Sequence, residues 1–174
     1  SGPDCAILLH GLPGCRHDWN KVADALGSQE RLIIPDLLGF GDSSPLRAHQ
    51  HAEAEAHAVL ELADRLGVGV FDLAGHDFGG PTALWITRLA PERVRSLALM
   101  ATNAFRDTPI PGALKTARVP VLGEVVFRMM LSRFGLSMMW RQATADRVSY
   151  PYREFEETIR SATGRRSTRE VFLD

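Results

Sequence analysis

An apolar run that ends in a glycine-rich turn around an aspartate decides the fold. It reads Val70-Phe71-Asp72-Leu73-Ala74-Gly75-His76-Asp77-Phe78-Gly79-Gly80. The apolar residues predict a strand, and the glycines leave room for a sharp bend into a helix. A bend of this kind is strained and presents its central side chain, here the carboxylate of Asp77, in the open.

Strands and helices alternate through the first hundred residues. Apolar runs predict strands at Cys5–Leu9, 31–37, 70–74 and 95–102. Helical spacing of apolar residues predicts helices at 19–26, 52–66 and 80–90. Nearly all-apolar strands that alternate with helices are typical of an α/β fold, with a parallel sheet covered on both faces.

The second part of the chain has a different organisation. Pro109, Pro111 and Pro120 interrupt it, and helical patterns follow near residues 122–139 and 152–162. No further strand pattern is evident there. We therefore expect a core at residues 1–105 and a helical lobe at residues 106–174.

Composition narrows the classes of function. The 174 residues are 45% hydrophobic with a net charge of −1, which indicates a soluble globular protein. Residues 1–87 carry 12 acids and 5 bases, and residues 88–174 carry 9 acids and 15 bases. The two parts either attract each other or steer an anionic substrate. No basic stripe with interleaved aromatic residues suggests nucleic acid, so no such partner is expected.

Two cysteines are too few for a disulfide scaffold or a zinc site. We expect a reducing, cytoplasmic setting and no metal or cofactor. No apolar run reaches membrane-spanning length, so no membrane partner is expected either.

Three motifs, in order, carry a resemblance to a known family. They are Leu9-His10-Gly11-Leu12-Pro13-Gly14, then Pro35-Asp36-Leu37-Leu38-Gly39-Phe40-Gly41-Asp42-Ser43, and then the turn around Asp77. Together they resemble the α/β-hydrolase fold, and within it the branch with an Asp nucleophile: the haloalkane dehalogenases and epoxide hydrolases. The resemblance covers residues 5–105 well, and residues 106–174 resemble a helical cap.

The resemblance implies a site and a mechanism. Asp77 would attack an electrophilic alkyl carbon, opening an epoxide or displacing a halide, and form an alkyl ester. A histidine-activated water would then hydrolyse the ester. The backbone N–H groups of Leu12 and Phe78 would form the oxyanion hole, because preformed donors need little reorganisation.

The electrophile is suggested by residues of the cap. Many dehalogenases place a Trp after the nucleophile, but Phe78 has no N–H donor. Epoxide opening needs an acid, and Tyr150 and Tyr152 are the two tyrosines of the chain. Trp140 is a further candidate donor, although all three also suit packing. The lack of halide donors favours an epoxide slightly as the small-molecule substrate, and an alkyl halide stays open as the alternative.

The family's histidine base has no counterpart after the nucleophile. All six histidines precede Asp77. In the order of the chain they are His10, His17, His49, His51, His57 and His76. Asp107 is a weak candidate for the family's acid, and Asn103 cannot fill that role.

Two interpretations remain open for the missing base. The chain is a fragment of a hydrolase, cut at both ends, or it is a shortened, catalytically incomplete protein that acts as a binding module. The strands at 31–37 and 95–102 would then be exposed edges, which predicts low solubility or a homo-oligomer paired through these edges.

Overall fold

Four parallel strands form one sheet in the computed structural model, which describes residues 4–27, 30–44, 52–102 and 122–163. They are β1 (Cys5–Leu9), β2 (Arg31–Ile33), β3 (Phe71–His76) and β4 (Val94–Met100). The order across the sheet is β2-β1-β3-β4, and every neighbouring pair is parallel. The predicted α/β class and its four-stranded parallel sheet are confirmed.

Six helices accompany the sheet within the described residues. Three belong to the core: α1 (Asn20–Leu26), α2 (Ala52–Arg65) and α3 (Gly79–Leu89). Three form the helical lobe: α4 (Leu122–Met130), α5 (Arg133–Ala143) and α6 (Tyr152–Thr163). None of these helices is both long and apolar enough to cross a bilayer.

The main core lies between the sheet and the pair α2–α3. Ile7, Leu73 and Ile86 are buried there, and Ala56 and Val59 supply the inner face of α2. On the other face of the sheet, Trp19 packs against Ala6 and Leu8 ahead of α1. Among the described residues, the helix that follows Trp19 on this side is α1, which has seven residues and buries none of them.

The second strand is shorter than predicted, since β2 ends at Ile33 rather than at residue 37. Pro35 has no N–H for the sheet ladder. The carboxylate of Asp36 instead accepts hydrogen bonds from the backbone N–H groups of Arg16 (2.7 Å) and Asp42 (2.9 Å). These bonds stabilise a loop. The buried carboxylate of Asp36 also forms an ion pair with the side chain of Arg16.

The helical region predicted near residues 122–139 consists of two helices. The break falls at Ser132, whose hydroxyl accepts a hydrogen bond from the N–H of Gly135 and caps α5. A side-chain cap competes with continued helix, which explains why the apolar spacing alone did not reveal the break.

A buried carboxyl holds the loop after β2. Glu55 of α2 is 1% exposed, and its Oε2 accepts a hydrogen bond from the N–H of Leu38 (3.1 Å). Its Oε1 is buried with no hydrogen-bond partner among the described residues. Burial, partly opposed by the Leu38 bond, raises the pKa of Glu55 from 4.5 to about 7. The folded protein therefore favours the protonated carboxyl.

The substitution Glu55→Gln tests whether the raised pKa of Glu55 makes the stability of the protein depend on pH. Because the folded protein holds the proton more tightly, wild-type stability falls as pH rises from about 4.5 to 7, by roughly 3 kcal/mol. We expect Glu55→Gln to lose this fall, so that it exceeds the wild type in stability at pH 8. Urea unfolding followed by circular dichroism at pH 5 and pH 8 measures it, with exposed Glu53→Gln as the control. Parallel pH profiles for Glu55→Gln and wild type would contradict the prediction.

The outer strand β4 is exposed along most of its length. It pairs with β3 on one side, and Leu97, Leu99 and Met100 are each more than a third exposed. Buried parallel strands are normally covered on both faces, and a free apolar edge favours pairing with another chain. The sheet order therefore places β2 and β4 at the edges, as the sequence predicted.

We expect the chain to self-associate through β4 and Leu97→Lys to prevent it. A lysine on an edge strand opposes pairing because its charge would be buried in the joined sheet. Light scattering after size-exclusion chromatography measures the association. Val70→Lys, at a position 57% exposed just before β3, is the control. A wild-type monomer at all concentrations, or an oligomer unchanged by Leu97→Lys, would refute the expectation.

Candidate active site

Asp77 occupies the strained apex of the turn between β3 and α3. Its φ is +46°, a left-handed conformation that is uncommon for a residue with a side chain. Three hydrogen bonds hold its backbone. Its N–H donates to the Met100 carbonyl (3.0 Å), and its own carbonyl accepts from the Thr102 hydroxyl (2.8 Å) and the Gly80 N–H (3.0 Å). The strand end of β4 thus supports the strained residue.

The glycines around Asp77 are required by close backbone approach. A Cβ on Gly75 would lie 2.5 Å from the Gly79 carbonyl oxygen, and one on Gly79 would lie 2.5 Å from the Leu9 carbonyl oxygen. A Cβ on Gly80 would lie 1.8 Å from the hydroxyl oxygen of Thr102. No side chain fits any of these places, so the glycine spacing read from the sequence has a steric cause.

The carboxylate of Asp77 meets the loop after β1. The backbone N–H of Leu12 donates a hydrogen bond to Asp77 Oδ2 at 2.8 Å. Gly11 makes the approach possible, because a Cβ there would lie 2.7 Å from the Cβ of Asp77 and 3.0 Å from its Oδ2. The structure therefore brings together two of the residues that the sequence assigned to the site.

His10 orients the peptide group that makes this contact. Its ring is fully buried, and its Nε2 accepts a hydrogen bond from the Leu37 N–H at 2.9 Å. Burial lowers the pKa of His10, so the ring is neutral and carries its proton on Nδ1. That Nδ1–H donates to the carbonyl of Gly11 at 2.9 Å. In a trans peptide the carbonyl and the N–H point in opposite directions, so fixing this oxygen aims the Leu12 N–H at Asp77.

Aromatic rings pack behind the turn. Phe40 stands edge-on to His10 with ring centroids 5.4 Å apart, and Phe78 lies against Phe40 at 6.2 Å. Phe78 precedes α3, whose first turn begins with Gly79. The role of the Phe78 N–H as the second oxyanion donor stays a prediction.

The helical lobe contacts the site through α4. Phe127 is buried and packs against Leu12, together with Met130 and Leu131. The side chain of Leu12 thus joins the lobe while its backbone contacts Asp77. The lobe therefore packs against the loop whose backbone contacts the carboxylate.

A cavity of about 670 Å³ opens between the core and α6. It is lined by the direct neighbours of the two site residues, Pro13 beside Leu12 and His76 beside Asp77. Its other walls are mainly apolar and include Trp19, Met100 and Phe155. Its size suits a small organic molecule.

The three predicted substrate contacts in the lobe have different surroundings. The indole N–H of Trp140 donates to the Tyr150 carbonyl (2.9 Å), and the Tyr152 hydroxyl donates to the Arg133 carbonyl (3.3 Å). These two side chains also pack edge to face at 5.9 Å. Tyr150 lines the cavity, and burial raises the pKa of its hydroxyl. Their role in substrate binding stays a prediction; of the three, Tyr150 is the one that lines the cavity.

No local sequence pattern indicates the residues that join core and lobe. Lys21 of α1 forms an ion pair with Glu154 of α6 (3.0 Å) and donates to the Ser149 carbonyl (2.8 Å). Its ammonium also lies 4.6 Å from the centroid of the Tyr150 ring. These contacts span more than a hundred residues of chain, so no local motif announces them. All four residues line the cavity.

Several sequence candidates fall elsewhere. His49, His51, Asn103 and Asp107 lie outside the described residues. His76 is exposed and lines the cavity, whereas His57 is exposed on α2. Within the described part of the chain, no three His, Cys, Asp or Glu side chains come together as a possible metal site.

Comparisons with known proteins agree with this architecture. A family model described as alpha/beta hydrolase fold matches residues 7–123. A fluoroacetate dehalogenase of Burkholderia sp is 39% identical over 105 residues, which are 58% of this chain and 34% of that protein. A soluble epoxide hydrolase of Corynebacterium sp. (strain C12) is 34% identical over 113 residues, 62% of this chain and 40% of that protein.

The relatives are mixed in activity. Lipase 3 of Moraxella sp. (strain TA144) is 34% identical over 113 residues, 64% of this chain and 36% of that protein. The chain spans between about a quarter and two fifths of the length of the curated relatives it matches.

Similarity of structure covers nearly the whole chain. The solved structure of Cfl2 from Burkholderia cenocepacia superposes with a TM-score of 0.84 at 25% identity, covering 99% of this chain and 62% of that one. The matched family model also spans both the Leu12 loop and the Asp77 turn. The chain therefore belongs to the alpha/beta hydrolase fold family.

Proposed function

We propose that the chain carries the nucleophile of a hydrolase that acts on an electrophilic alkyl carbon through an ester of Asp77. The observation that carries this proposal is the hydrogen bond from the Leu12 N–H to Asp77 Oδ2. One carboxylate oxygen is held by a fixed backbone donor. The other oxygen, Oδ1, is then the attacking atom.

The first step forms one bond and breaks one bond. Oδ1 attacks the carbon, a C–O bond to Asp77 forms, and the bond from that carbon to the halide or the epoxide oxygen breaks with its electron pair. A halide leaves as the anion, whereas an epoxide oxygen takes a proton. Tyr150 is the proposed source of this proton because its side chain lines the cavity.

The second step hydrolyses the ester. Water attacks the Asp77 carboxyl carbon, and the negative charge develops on Oδ2, which the Leu12 N–H already contacts. The N–H of Phe78, as the proposed second donor, would also stabilise this charge. Collapse of this intermediate breaks the bond between the carboxyl carbon and Oδ1, which leaves as the oxygen of the alcohol product. One proton of the water passes to that alcohol, the other is released, and the water oxygen stays in the carboxylate. The six histidines all precede Asp77, and we assign none of them as the base for this step. The alkyl ester is therefore expected to accumulate on this chain.

The named relatives support this chemistry in part. Fluoroacetate dehalogenase and soluble epoxide hydrolase are names that fit alkylation of a carboxylate, whereas a lipase fits acyl transfer. A carboxylate rather than a hydroxyl at the apex of the turn favours the first two activities. The indole N–H of Trp140 and the hydroxyl of Tyr152 are bonded to backbone carbonyls. Tyr150 is therefore the proposed acid for the epoxide oxygen, and the preference for an epoxide over a halide depends on it.

The proposed reaction needs a small-molecule substrate and no cofactor, since nucleophile and oxyanion donor both belong to the chain. We also propose a cytoplasmic setting, which the two free, buried cysteines Cys5 and Cys15 support. The alternative function is a non-catalytic binding module that uses the same cavity. Covalent labelling distinguishes the two.

Incubation with styrene oxide and with 1-bromobutane, followed by intact-mass measurement and peptide mapping, tests the nucleophile. We expect a single adduct on Asp77 because hydrolysis has no assigned base. Asp77→Asn should remove it, whereas Asp24→Asn, a change to an exposed aspartate of α1, should leave it unchanged. A folded protein that forms no adduct with either reagent would favour the binding module.

Gly11→Ala tests the geometry around the carboxylate. The new methyl group would collide with the Asp77 Cβ and displace the side chain. We expect labelling to slow by roughly 100-fold, as displacements of about 1 Å can cost that much. Gly69→Ala is the matched control, because a Cβ there has nothing within 4 Å. Circular dichroism checks that both variants fold. Equal labelling of the two variants would refute the assigned geometry.

A further inference from the structure

The outer side of α4 and α5 exposes a group of large apolar side chains. We call it the α4–α5 face; it consists of Leu122, Val125, Met129, Phe134 and Met138. Phe134 is 73% exposed and Met129 is 60% exposed, which are high values for apolar residues of this size. An exposed cluster of this kind marks an interaction surface, whereas scattered single residues do not.

Helical spacing groups the exposed apolar side chains of each helix, and the turn brings the two helix ends together. Val125 and Met129 are four residues apart on α4, and Phe134 and Met138 are four apart on α5, so each pair shares one side of its helix. At the turn, a Cβ on Gly135 would lie 2.3 Å from the Met129 carbonyl oxygen. This close approach places the start of α5, with Phe134, directly against the end of α4.

The opposite sides of both helices are already occupied. Val126 and Phe127 of α4 are buried, and Phe127 packs against Leu12. Leu136 of α5 is buried against Phe155 and Ile159 of α6. The exposed side chains therefore do not belong to the inner packing of the lobe.

Basic residues accompany the face. Residues 122–143 contain Arg128, Arg133 and Arg141 and a single acid, Glu124. Arg133 and Arg141 are exposed on α5, and Arg141 lies three residues after Met138, on the same side of the helix. Exposed apolar side chains beside arginines complement a surface that is both apolar and anionic.

We propose that the α4–α5 face binds the interface of an anionic phospholipid bilayer, with the apolar side chains among the acyl chains and the arginines at the phosphates. Pairing of this face with a second copy fits less well, because it would bring the arginines of two copies together. The sequence predicted no membrane partner since no segment is long enough to span one. Peripheral binding requires only a surface cluster, which becomes visible after the helices are folded.

Sedimentation with vesicles tests the proposal. The vesicles are pure phosphatidylcholine, or phosphatidylcholine with phosphatidylglycerol. We expect binding to the anionic vesicles that weakens as salt is raised, since phosphate–arginine attraction is screened. Met129→Glu/Phe134→Glu should reduce it by about tenfold or more, because two apolar contacts become repulsive charges.

Val148→Glu is the matched control, because Val148 is 91% exposed in the turn before α6 and is not one of the residues of the face. It should bind as the wild type does. Equal binding of the two variants, or no binding to either kind of vesicle, would overturn the proposal. So would self-association that Met129→Glu/Phe134→Glu abolishes, which would identify a second copy as the occupant. Labelling of Asp77 is measured separately, so this test stands apart from that of the proposed function.

Discussion

The site depends on a chain of hydrogen bonds that runs through one peptide group. His10 accepts a hydrogen bond from the N–H of Leu37 and donates one to the carbonyl of Gly11. The N–H of the next residue, Leu12, donates to the carboxylate of Asp77. Each bond constrains the next because imidazole and peptide are both rigid and planar. Burial keeps the ring neutral by lowering the pKa of His10, and a neutral ring is the form that can accept from Leu37 and donate to Gly11. A buried histidine thereby determines where the N–H of Leu12 points.

Backbone strain at Asp77 is supported by packing on three sides. The residue has a left-handed conformation that costs about 1–3 kcal/mol. Hydrogen bonds with Met100, Thr102 and Gly80 hold its backbone. Glycines allow the neighbouring chain segments to approach closely. In the same arrangement, the carboxylate of Asp77 accepts a hydrogen bond from the N–H of Leu12. Strain and function are therefore properties of one element, the turn from β3 to α3.

The helical lobe connects the site to the surface. The inner side of α4 packs on Leu12 through Phe127, while its outer side contributes Val125 and Met129 to the α4–α5 face. A single helix of nine residues thus contacts the Leu12 loop and also contributes to the proposed lipid interface. If both proposals hold, a substrate that partitions into a bilayer would meet the protein on the lobe that packs against the Leu12 loop.

Local sequence was sufficient for much of the fold. The strand Cys5–Leu9 was predicted with its observed bounds, and the turn around Asp77, the core helices and the edge positions of two strands followed from apolar runs and glycines. These features depend on neighbours within a few residues. Predictions were less accurate where a side chain competes with the backbone, as at Pro35 and Asp36 after β2 and at Ser132 between α4 and α5.

By itself, the sequence determined which residue is presented at the turn and why glycines surround it, because steric limits on a tight bend are local. Only the tertiary structure decided that the carbonyl of Gly11 is held by His10, that Lys21 joins α1 to Glu154, and that Trp140 is bonded to a backbone carbonyl. It also decided which methionines are exposed. These outcomes depend on segments that are distant in the chain and become neighbours when the sheet and the lobe are packed, so no pattern of spacing contains them.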